Sequence, residues 1–295
     1  MRSDRSDRGA RVLALVSDAH GGFGGISQYN RDALEAMASY EGIETVQVLP
    51  RLAKQPLGNL PDKLKYDLSS LGGHARYSAA VTRSCAKLSP INLVYCAHIN
   101  LVPLAVMAGK VLRAPVVLAI YGIDVWQPPS LLTRKLIEKG VARVISISQV
   151  TLDRFNTWAR YDRDRGVVVP NAVDLAQYGA GPKSPELVKK YRLEGRTVIM
   201  TFGRMVGEDR AKGFDEILQL LPELASRIDN VTYMAVGDGP DRKRLEHRAA
   251  ELGVAERVVF TGRIDDEIKA DIFRLADLYV MPSRGEGFGF VVLEA

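Results

Sequence analysis

Short runs of β-branched and aliphatic residues alternate with longer amphipathic segments along almost the whole chain. The first run, residues 12–16, is followed by an apolar stripe at Ile26, Tyr29, Ala33 and Met37, and this spacing predicts a helix. A repeated strand-then-helix pattern is typical of a parallel sheet with helices on both faces. We therefore predict a doubly wound α/β fold.

The same pattern predicts one complete doubly wound domain and the beginning of a second. Further strands of the first domain are expected at 45–49, 92–96, 116–120 and 144–147, with helices near 76–87, 101–112, 131–139 and 151–158. In the second domain we expect strands at 198–202, 231–236, 258–261 and 278–281, with helices at 214–227, 242–252 and 265–276. A final helix beginning near Phe290 would hold only about six residues, so this domain is predicted to be incomplete.

A turn-rich connector, Gly179 to Pro185, separates the two halves. We predict a disordered tail at 1–10, an N-terminal domain at 11–175 and a C-terminal domain at 176–295. The tail carries charges of both signs and lacks the apolar core of a secretion signal.

Composition narrows the function classes. The chain has 295 residues, of which 46% are hydrophobic and 25% charged, as in ordinary soluble proteins. Its net charge of +5 is spread among interleaved acids and bases and does not indicate nucleic acid. The apolar patches between 91 and 120 are broken well short of the about 18 residues of a membrane span. Cys85 and Cys96 match no metal or redox spacing, which favours reduced thiols in the cytoplasm.

Two carboxylates close to the end of the sequence, Glu286 and Glu294, flank the glycine-rich segment Gly287-Phe288-Gly289. A strand at 278–281 would place this segment at the carboxyl edge of the sheet, where open α/β folds bind ligands. Carboxylates accept hydrogen bonds from the paired hydroxyls of a hexose or a ribose. The spacing alone also fits a solvated acid and a helix residue without a ligand.

Two cations lie between the first strand and the first helix of the second domain. Gly203 and Arg204 follow its first strand, and Lys212 precedes its helix, so both cations could bind a diphosphate at the helix N-terminus. A solvated loop with one arginine and one lysine is the alternative. The turn 237–240 is interpreted as a connector between strand and helix.

Polar and glycine residues also follow strands of the first domain. The loop 21–25, which contains Gly24 and Gly25, could approach a phosphate or sugar, but it lacks the G-x-G-x-x-G spacing and fits a plain tight turn equally well. His98 ends the strand near 92–96, where it could orient a sugar hydroxyl. Tyr121 and Asp124 follow the next strand.

Taken in order, these motifs resemble the retaining family 4 glycosyltransferases, whose B-type fold has two Rossmann-like domains facing a cleft. The motifs are Gly24-Gly25, Gly203-Arg204 through Lys212-Gly213, Val236-Gly237-Asp238-Gly239-Pro240, Phe260-Thr261-Gly262, and Glu286-Gly287-Phe288-Gly289 through Glu294. The resemblance covers nearly the entire chain. It implies transfer of a hexose-type sugar from a nucleotide-sugar donor to a glycan or lipid-linked acceptor, by an enzyme of polysaccharide biosynthesis.

The resemblance also implies roles for single residues. Arg204 and Lys212 would neutralise the leaving diphosphate, and Glu286 would hold hydroxyls of the donor hexose near the amides of Gly287, Phe288 and Gly289. Glu294 would bind the ribose, and Arg263-Ile264 would lie against the base. His98 would contact the donor sugar near its reacting carbon, Gly24 and Gly25 would approach the diphosphate, and Tyr121 and Asp124 would lie on the acceptor side. Gly203 belongs to the donor set, and Asn171 and Asp174 begin the interdomain segment.

The resemblance further implies that no cofactor or divalent metal is required, because the two cations do the work of a metal ion. Asp162-Arg163-Asp164 spells the metal-binding D-x-D of another glycosyltransferase fold, but its position between a helix and a strand favours a solvated charge cluster. We expect a cytoplasmic protein, with peripheral contact at the inner face of the membrane.

Two departures from the family pattern stand out. Tyr121 occupies a position where many members have histidine, and members continue past the position of Ala295, which predicts that this sequence is a fragment. Three other functions remain open: a nucleotide-sugar epimerase of the same fold, a dehydrogenase suggested by the glycine loops, and a non-catalytic nucleotide-sugar binder.

Overall fold

The computed structural model describes residues 9–87, 90–207 and 212–295, and it divides the chain into two compact units, Met1–Asn171 and Ala172–Ala295. The division lies four residues before the boundary predicted after residue 175. The predicted tail at 1–10 lies outside the described residues up to residue 8.

The N-terminal unit contains a seven-stranded sheet in the order β3-β2-β1-β4-β5-β6-β7, and every strand pairing in it is parallel. Its elements are β1 (Ala10–Val16), α1 (Gly25–Ser39), β2 (Ile43–Pro50), β3 (Leu64–Tyr66), α2 (His74–Lys87), β4 (Leu93–Ala97), α3 (Val102–Leu112), β5 (Val116–Ile120), α4 (Ile123–Trp126), α5 (Leu131–Gly140), β6 (Arg143–Ser146), α6 (Gln149–Asn156) and β7 (Gly166–Val168).

The C-terminal unit contains a four-stranded parallel sheet in the order β10-β9-β8-β11. Its elements are α7 (Pro185–Tyr191), β8 (Thr197–Phe202), α8 (Phe214–Arg227), β9 (Val231–Val236), α9 (Arg242–Glu251), β10 (Val258–Phe260), α10 (Lys269–Arg274), β11 (Leu278–Tyr279) and α11 (Phe290–Glu294). The predicted α/β class with two doubly wound parallel sheets is confirmed.

Burial on both faces explains the apolar runs of the central strands. In β8, Val198 and Met200 pack into one core and Ile199 into the other, because successive side chains of a strand point to opposite faces. β9 is buried at all of its positions. Continuous apolar strands of this kind are a consequence of helices covering both faces of a parallel sheet.

Several elements differ from the prediction. β3, α4 and α7 had no predicted counterpart, since each is only three to seven residues long. For α7 the signal was present: Ser184 caps the helix by accepting from the N–H of Leu187, and Pro185 occupies its first turn. The single helix predicted at 265–276 is instead a 3₁₀ turn at Asp266–Ile268 followed by α10.

Among the residues that the structure describes, no helix combines the length and the apolar character that a membrane-spanning helix needs.

The turn after β9 packs directly against the backbone that follows β8. A Cβ atom on Gly237 would lie 2.0 Å from the carbonyl oxygen of Gly203, and Gly237 has a φ of +123°. The N–H of Met205 donates to the carbonyl of Asp238 at 3.0 Å, and the N–H of Asp241 donates back to the carbonyl of Met205 at 3.0 Å. Glycine is therefore required at position 237 by both conformation and space.

We predict that Gly237→Ala lowers the free energy of unfolding by about 3 kcal/mol, because the added methyl group displaces the backbone at residue 203. Urea denaturation followed by circular dichroism measures the change. Gly195→Ala is the matched control: its φ is +63°, but a Cβ atom there meets nothing within 4 Å. The control should cost only about 1 kcal/mol, and equal losses in the two variants would contradict the close packing at residue 237.

Candidate functional site

The first candidate site lies in the C-terminal unit, where the strand order changes direction. β8 pairs with β9 on one side and with β11 on the other. The segments that leave the carboxyl ends of β8 and β11 therefore start beside each other, and this is where open α/β sheets bind ligands. One segment carries Gly203, Arg204 and Lys212, and the other carries Glu286.

Lys212 and Glu286 meet at this position. The Lys212 ammonium group donates a hydrogen bond to Oε1 of Glu286, and the two side chains are 22% and 27% exposed. Gly203 belongs to the same group, since a Cβ atom placed on it would lie 3.7 Å from Cγ of Lys212. The structure thus brings together three of the predicted residues, one of them 74 positions from its partner in sequence.

Arg204 lies on the same side of the unit. Its exposed side chain borders a small pocket that is also lined by Met205, Asp215 and Asp241. α8 begins beside it, immediately after Gly213, which has a φ of +87° and gives the helix no side-chain cap. A Cβ atom on Gly213 would lie 2.4 Å from Cγ of Pro282, so glycine allows the segment after β11 to approach the start of the helix.

Glu294, predicted to bind ribose, forms an ion pair in the structure. Its Oε1 accepts from Nζ of Lys269 at 2.5 Å, and the two side chains are only 7% and 17% exposed. Burial raises the pKa of the Tyr178 hydroxyl, and the neighbouring Glu294 carboxylate raises it further. Glu294 and Glu286 therefore share one feature that the sequence did not indicate, which is a lysine partner for each carboxylate.

The remaining donor-side residues of the prediction differ in their exposure. Arg263 is exposed, and Ile264 packs against the apolar core that contains Met200 and Phe273. Gly287 and Phe288 are half-buried. Gly289 is buried, and its φ of +86° turns the chain into α11.

The second candidate site lies in the N-terminal unit, at the corresponding change of strand order. β1 pairs with β2 on one side and with β4 on the other. Gly24 and Gly25 belong to the segment after β1, and both are exposed. Gly24 has a φ of +89° and immediately precedes α1, while a Cβ atom on it would meet nothing within 4 Å. Its surroundings leave room for a ligand close to the backbone.

His98 follows β4 and is held in one tautomer. Its Nδ1 accepts a hydrogen bond from the N–H of Asn100 at 3.1 Å, so in the neutral ring the proton resides on Nε2. Burial lowers the pKa of His98, and the positive charge of Arg51 lowers it further, whereas Asp18 acts in the opposite direction. The ring is therefore a neutral donor near pH 7.

Tyr121 is buried and hydrogen-bonded within the N-terminal unit. Its side chain is 6% exposed, and its hydroxyl donates to Oδ1 of Asn30 at 2.6 Å. Asn30 in turn donates from Nδ2 to the carbonyl oxygen of Asp18 at 2.8 Å. This chain of hydrogen bonds fixes the end of β5 against α1 and the loop after β1, so the Tyr121 side chain is not presented on the surface.

Asp124 has one engaged and one unpartnered carboxylate oxygen. Oδ1 accepts from the N–H of Tyr121 at 3.1 Å, whereas Oδ2 is buried and has no partner among the described residues. Burial raises the pKa of Asp124 to about 6, against the opposing effect of the backbone hydrogen bonds from Tyr121, Gly122 and its own N–H. Asp124 lies in the short helix α4, three positions after Tyr121.

The D-x-D sequence serves a local purpose. Oδ1 of Asp162 accepts from the N–H of Asp164 at 3.2 Å and caps a 3₁₀ turn at Arg163–Arg165.

Sequence reasoning missed three residues that the fold brings to the candidate sites. They are Asn30, Lys269 and Arg244. Arg244 bridges Asp215 and Asp241 with hydrogen bonds of 2.6 to 2.7 Å. The only sequence signal was the three-residue spacing between Asp241 and Arg244 on one helix, and it gives no indication of the contact with Asp215.

Comparison with known proteins gives the family of the chain. The model of Glycosyltransferase Family 4 matches residues 23–177, which is more than half of the chain, and the model of Glycosyl transferases group 1 matches residues 196–295. The 2-deoxystreptamine glucosyltransferase of Streptomyces kanamyceticus is 29% identical over 298 residues, covering 93% of this chain and 72% of that protein.

A second relative matches more closely over a shorter stretch. The phosphatidyl-myo-inositol mannosyltransferase of Mycolicibacterium smegmatis is 38% identical over 130 residues. That match covers 44% of this chain and 31% of the mannosyltransferase, so the chain matches about a third of that relative's length.

Solved structures share the fold. The HepE protein of Anabaena in complex with UDP superposes with a TM-score of 0.73 at 20% identity, covering 97% of this chain and 78% of HepE. The sucrose-phosphate synthase of Thermosynechococcus elongatus gives a TM-score of 0.72 at 19% identity, with coverage of 97% and 78%. With two parallel sheets of the same architecture and a family match over more than half of its length, this chain belongs to glycosyltransferase family 4.

Proposed function

We propose that the protein transfers a hexose-type sugar from a nucleotide-sugar donor to a glycan or lipid-linked acceptor, with retention of anomeric configuration and without a divalent metal. The observation that carries the proposal is the meeting of Lys212 and Glu286 beside Arg204, at the change of strand order in the C-terminal unit. The glycosyltransferase names of its relatives and the UDP-glucose complex of HepE support the same donor class.

The donor would bind in the C-terminal unit. Arg204 and Lys212 supply positive charge for a diphosphate at the start of α8, where the first N–H groups have no side-chain cap. Glu286 would accept hydrogen bonds from hexose hydroxyls. Since Lys212 and Glu286 pair with each other, donor binding would replace one contact by two: a phosphate at Lys212 and sugar hydroxyls at Glu286.

Catalysis would rest on charge stabilisation. As the glycosidic bond breaks, negative charge grows on the leaving diphosphate, and cations already in position stabilise it without reorganisation. In the N-terminal unit, neutral His98 would donate from Nε2 to a sugar hydroxyl. We place no protein nucleophile in the reaction: the leaving phosphate would accept the proton of the acceptor hydroxyl on the same face of the sugar.

The two lysine-paired carboxylates, Glu286 and Glu294, differ in how easily they could contact a ligand. Glu286 is partly exposed and can reach a ligand by releasing Lys212. Glu294 is buried with Lys269, so its proposed contact with ribose requires the pair to open or to act through its remaining oxygen. The proposal for Glu286 therefore needs the smaller rearrangement.

We expect a donor nucleotide sugar to raise the thermal midpoint of the protein, because a ligand that binds only the folded state stabilises it. Differential scanning fluorimetry against UDP-, GDP-, ADP- and dTDP-sugars measures the shift. Arg204→Ala and Glu286→Ala should abolish it, since they remove the diphosphate and hexose contacts.

The controls for this experiment lie in the same unit. Arg196→Ala changes an exposed arginine just before the amino end of β8, and Glu256→Ala changes an exposed glutamate before β10. Both should retain the shift. A donor that stabilises Arg204→Ala and Glu286→Ala as strongly as the parent chain would contradict the proposed site.

We also expect transfer and donor binding to proceed in excess chelator, because Arg204 and Lys212 supply the charge that a metal would supply. Donor binding by calorimetry and product formation by mass spectrometry are compared with EDTA and with added Mn²⁺. Loss of donor binding and of product formation in EDTA, with recovery on addition of Mn²⁺, would contradict the proposal of metal independence.

The pH dependence tests His98. Burial and Arg51 hold its pKa below the ordinary value of 6.5, so the ring remains neutral at pH 6.5 and charges only in more acid solution. If neutral His98 donates to the sugar, the acid limb of kcat/KM has its midpoint below pH 6.5, and His98→Gln, an uncharged donor, removes that limb. His247→Gln, at an exposed histidine of α9, is the control and leaves the profile unchanged. An acid limb that survives in His98→Gln would assign it to another group.

A further inference from the structure

A single guanidinium joins the beginning of α9 to the first turn of α8 in the C-terminal unit. Arg244, on α9, donates from Nη1 and Nη2 to the two oxygens of Asp215, each at 2.7 Å. It also donates to the two oxygens of Asp241, from Nε at 2.7 Å and from Nη2 at 2.6 Å. Asp215 lies in the first turn of α8, and Asp241 lies just before α9. The forked guanidinium can hold two carboxylates in fixed relative positions, which a lysine cannot do.

Asp215 ties Arg244 to one of the two proposed phosphate-binding cations. It is three positions after Lys212. Gly213, between them, immediately precedes α8, and a Cβ atom on it would lie 2.4 Å from Cγ of Pro282, so the backbone there packs closely against the segment after β11. A shift of the first turn of α8 therefore moves Lys212 together with Asp215.

Asp241 ties Arg244 to the other cation. Its N–H donates to the carbonyl oxygen of Met205, and the N–H of Met205 donates to the carbonyl oxygen of Asp238, both at 3.0 Å. A Cβ atom on Gly239 would lie 2.1 Å from the Met205 carbonyl oxygen, so the two backbone segments are in close contact here. Arg204, the neighbour of Met205, and both aspartates line one pocket.

We propose that Arg244 is a positioning residue for the diphosphate of the donor: by bridging Asp215 and Asp241 it fixes the separation between Arg204 and Lys212, which lie near the two ends of the segment between β8 and α8. This inference rests on the proposed function, in which those two cations bind the diphosphate. Arg244 itself acts through its two carboxylate partners, and it does not contact the ligand.

The ion pairs of Arg244 differ from ordinary surface pairs. Its partner Asp241 is 13% exposed, and Arg244 and Asp215 are each about one-third exposed. The two carboxylates raise the pKa of Arg244 far above its ordinary value. Arg248, one turn further along α9, makes an exposed pair with Glu251 and provides a matched control.

The test measures nucleotide affinity of the whole chain by titration calorimetry, with UDP and UMP and with GDP and GMP. In the base series that the parent binds, Arg244→Lys should weaken diphosphate binding about tenfold, because a displacement of the order of 1 Å in a charged contact has large effects. Monophosphate binding should change by less than about threefold, since base and ribose contacts are retained. Arg248→Ala should leave both affinities unchanged.

A second variant separates positioning from simple charge. Asp215→Asn removes a negative charge near the proposed diphosphate site, so electrostatics alone would strengthen binding of the anion. Loss of the bidentate contact instead predicts weaker diphosphate binding. Circular dichroism and the thermal midpoint establish that each variant is folded, and Asp215→Asn decides the question if Arg244→Lys does not fold.

Three outcomes would overturn the inference. They are unchanged UDP or GDP affinity in folded Arg244→Lys, equal losses for diphosphate and monophosphate, and tighter diphosphate binding by Asp215→Asn. A parent chain that binds none of the nucleotides contradicts the proposed function, and the inference falls with it. A parent chain that binds diphosphate through Arg204 and Lys212, but is insensitive to Arg244→Lys, leaves the proposed function standing and overturns the inference alone.

Discussion

Each unit is organised by the parallel pairing of its strands. The chain adds strands first on one side and then on the other side of the strand with which the sheet begins. In the N-terminal unit this strand is β1, between β2 and β4, and in the C-terminal unit it is β8, between β9 and β11. Because all strands of a unit share one direction, their carboxyl ends form one edge of the sheet. At this edge the segments that follow β1 and β4, or β8 and β11, start side by side and lead away from each other, which leaves room for a ligand. His98, Gly24, Arg204 and Glu286 all occupy such segments.

Charge in the C-terminal unit is balanced locally. Lys212 pairs with Glu286, Lys269 with Glu294, and Arg244 with two aspartates. A partly buried charge without a partner loses hydration that nothing replaces, so pairing allows these groups to remain ionised at the edge of an apolar core. The same pairs determine the direction in which each of these flexible side chains points.

The sequence predicted the central strands and the long helices because buried parallel strands and amphipathic helices leave periodic patterns. It predicted the Lys212 and Glu286 segments from their positions after strands β8 and β11. The short elements β3, α4 and α7 could not be found in the same way, since three to seven residues give no period. Nor could the bond between Tyr121 and Asn30, or that between Arg244 and Asp215, because pairs 91 and 29 positions apart depend on strand order and not on local pattern.

The pairing of Lys212 with Glu286 has a consequence for the influence of salt. A site made of unpaired cations attracts counterions, and its affinity for an anion falls steeply with ionic strength as those counterions are released. Here the counterion of Lys212 is part of the protein. A phosphate that takes over Lys212 displaces a tethered carboxylate, which then turns to the sugar, so fewer mobile ions are exchanged with the solution. The contribution of Lys212 to the ionic-strength dependence of donor binding should therefore be small.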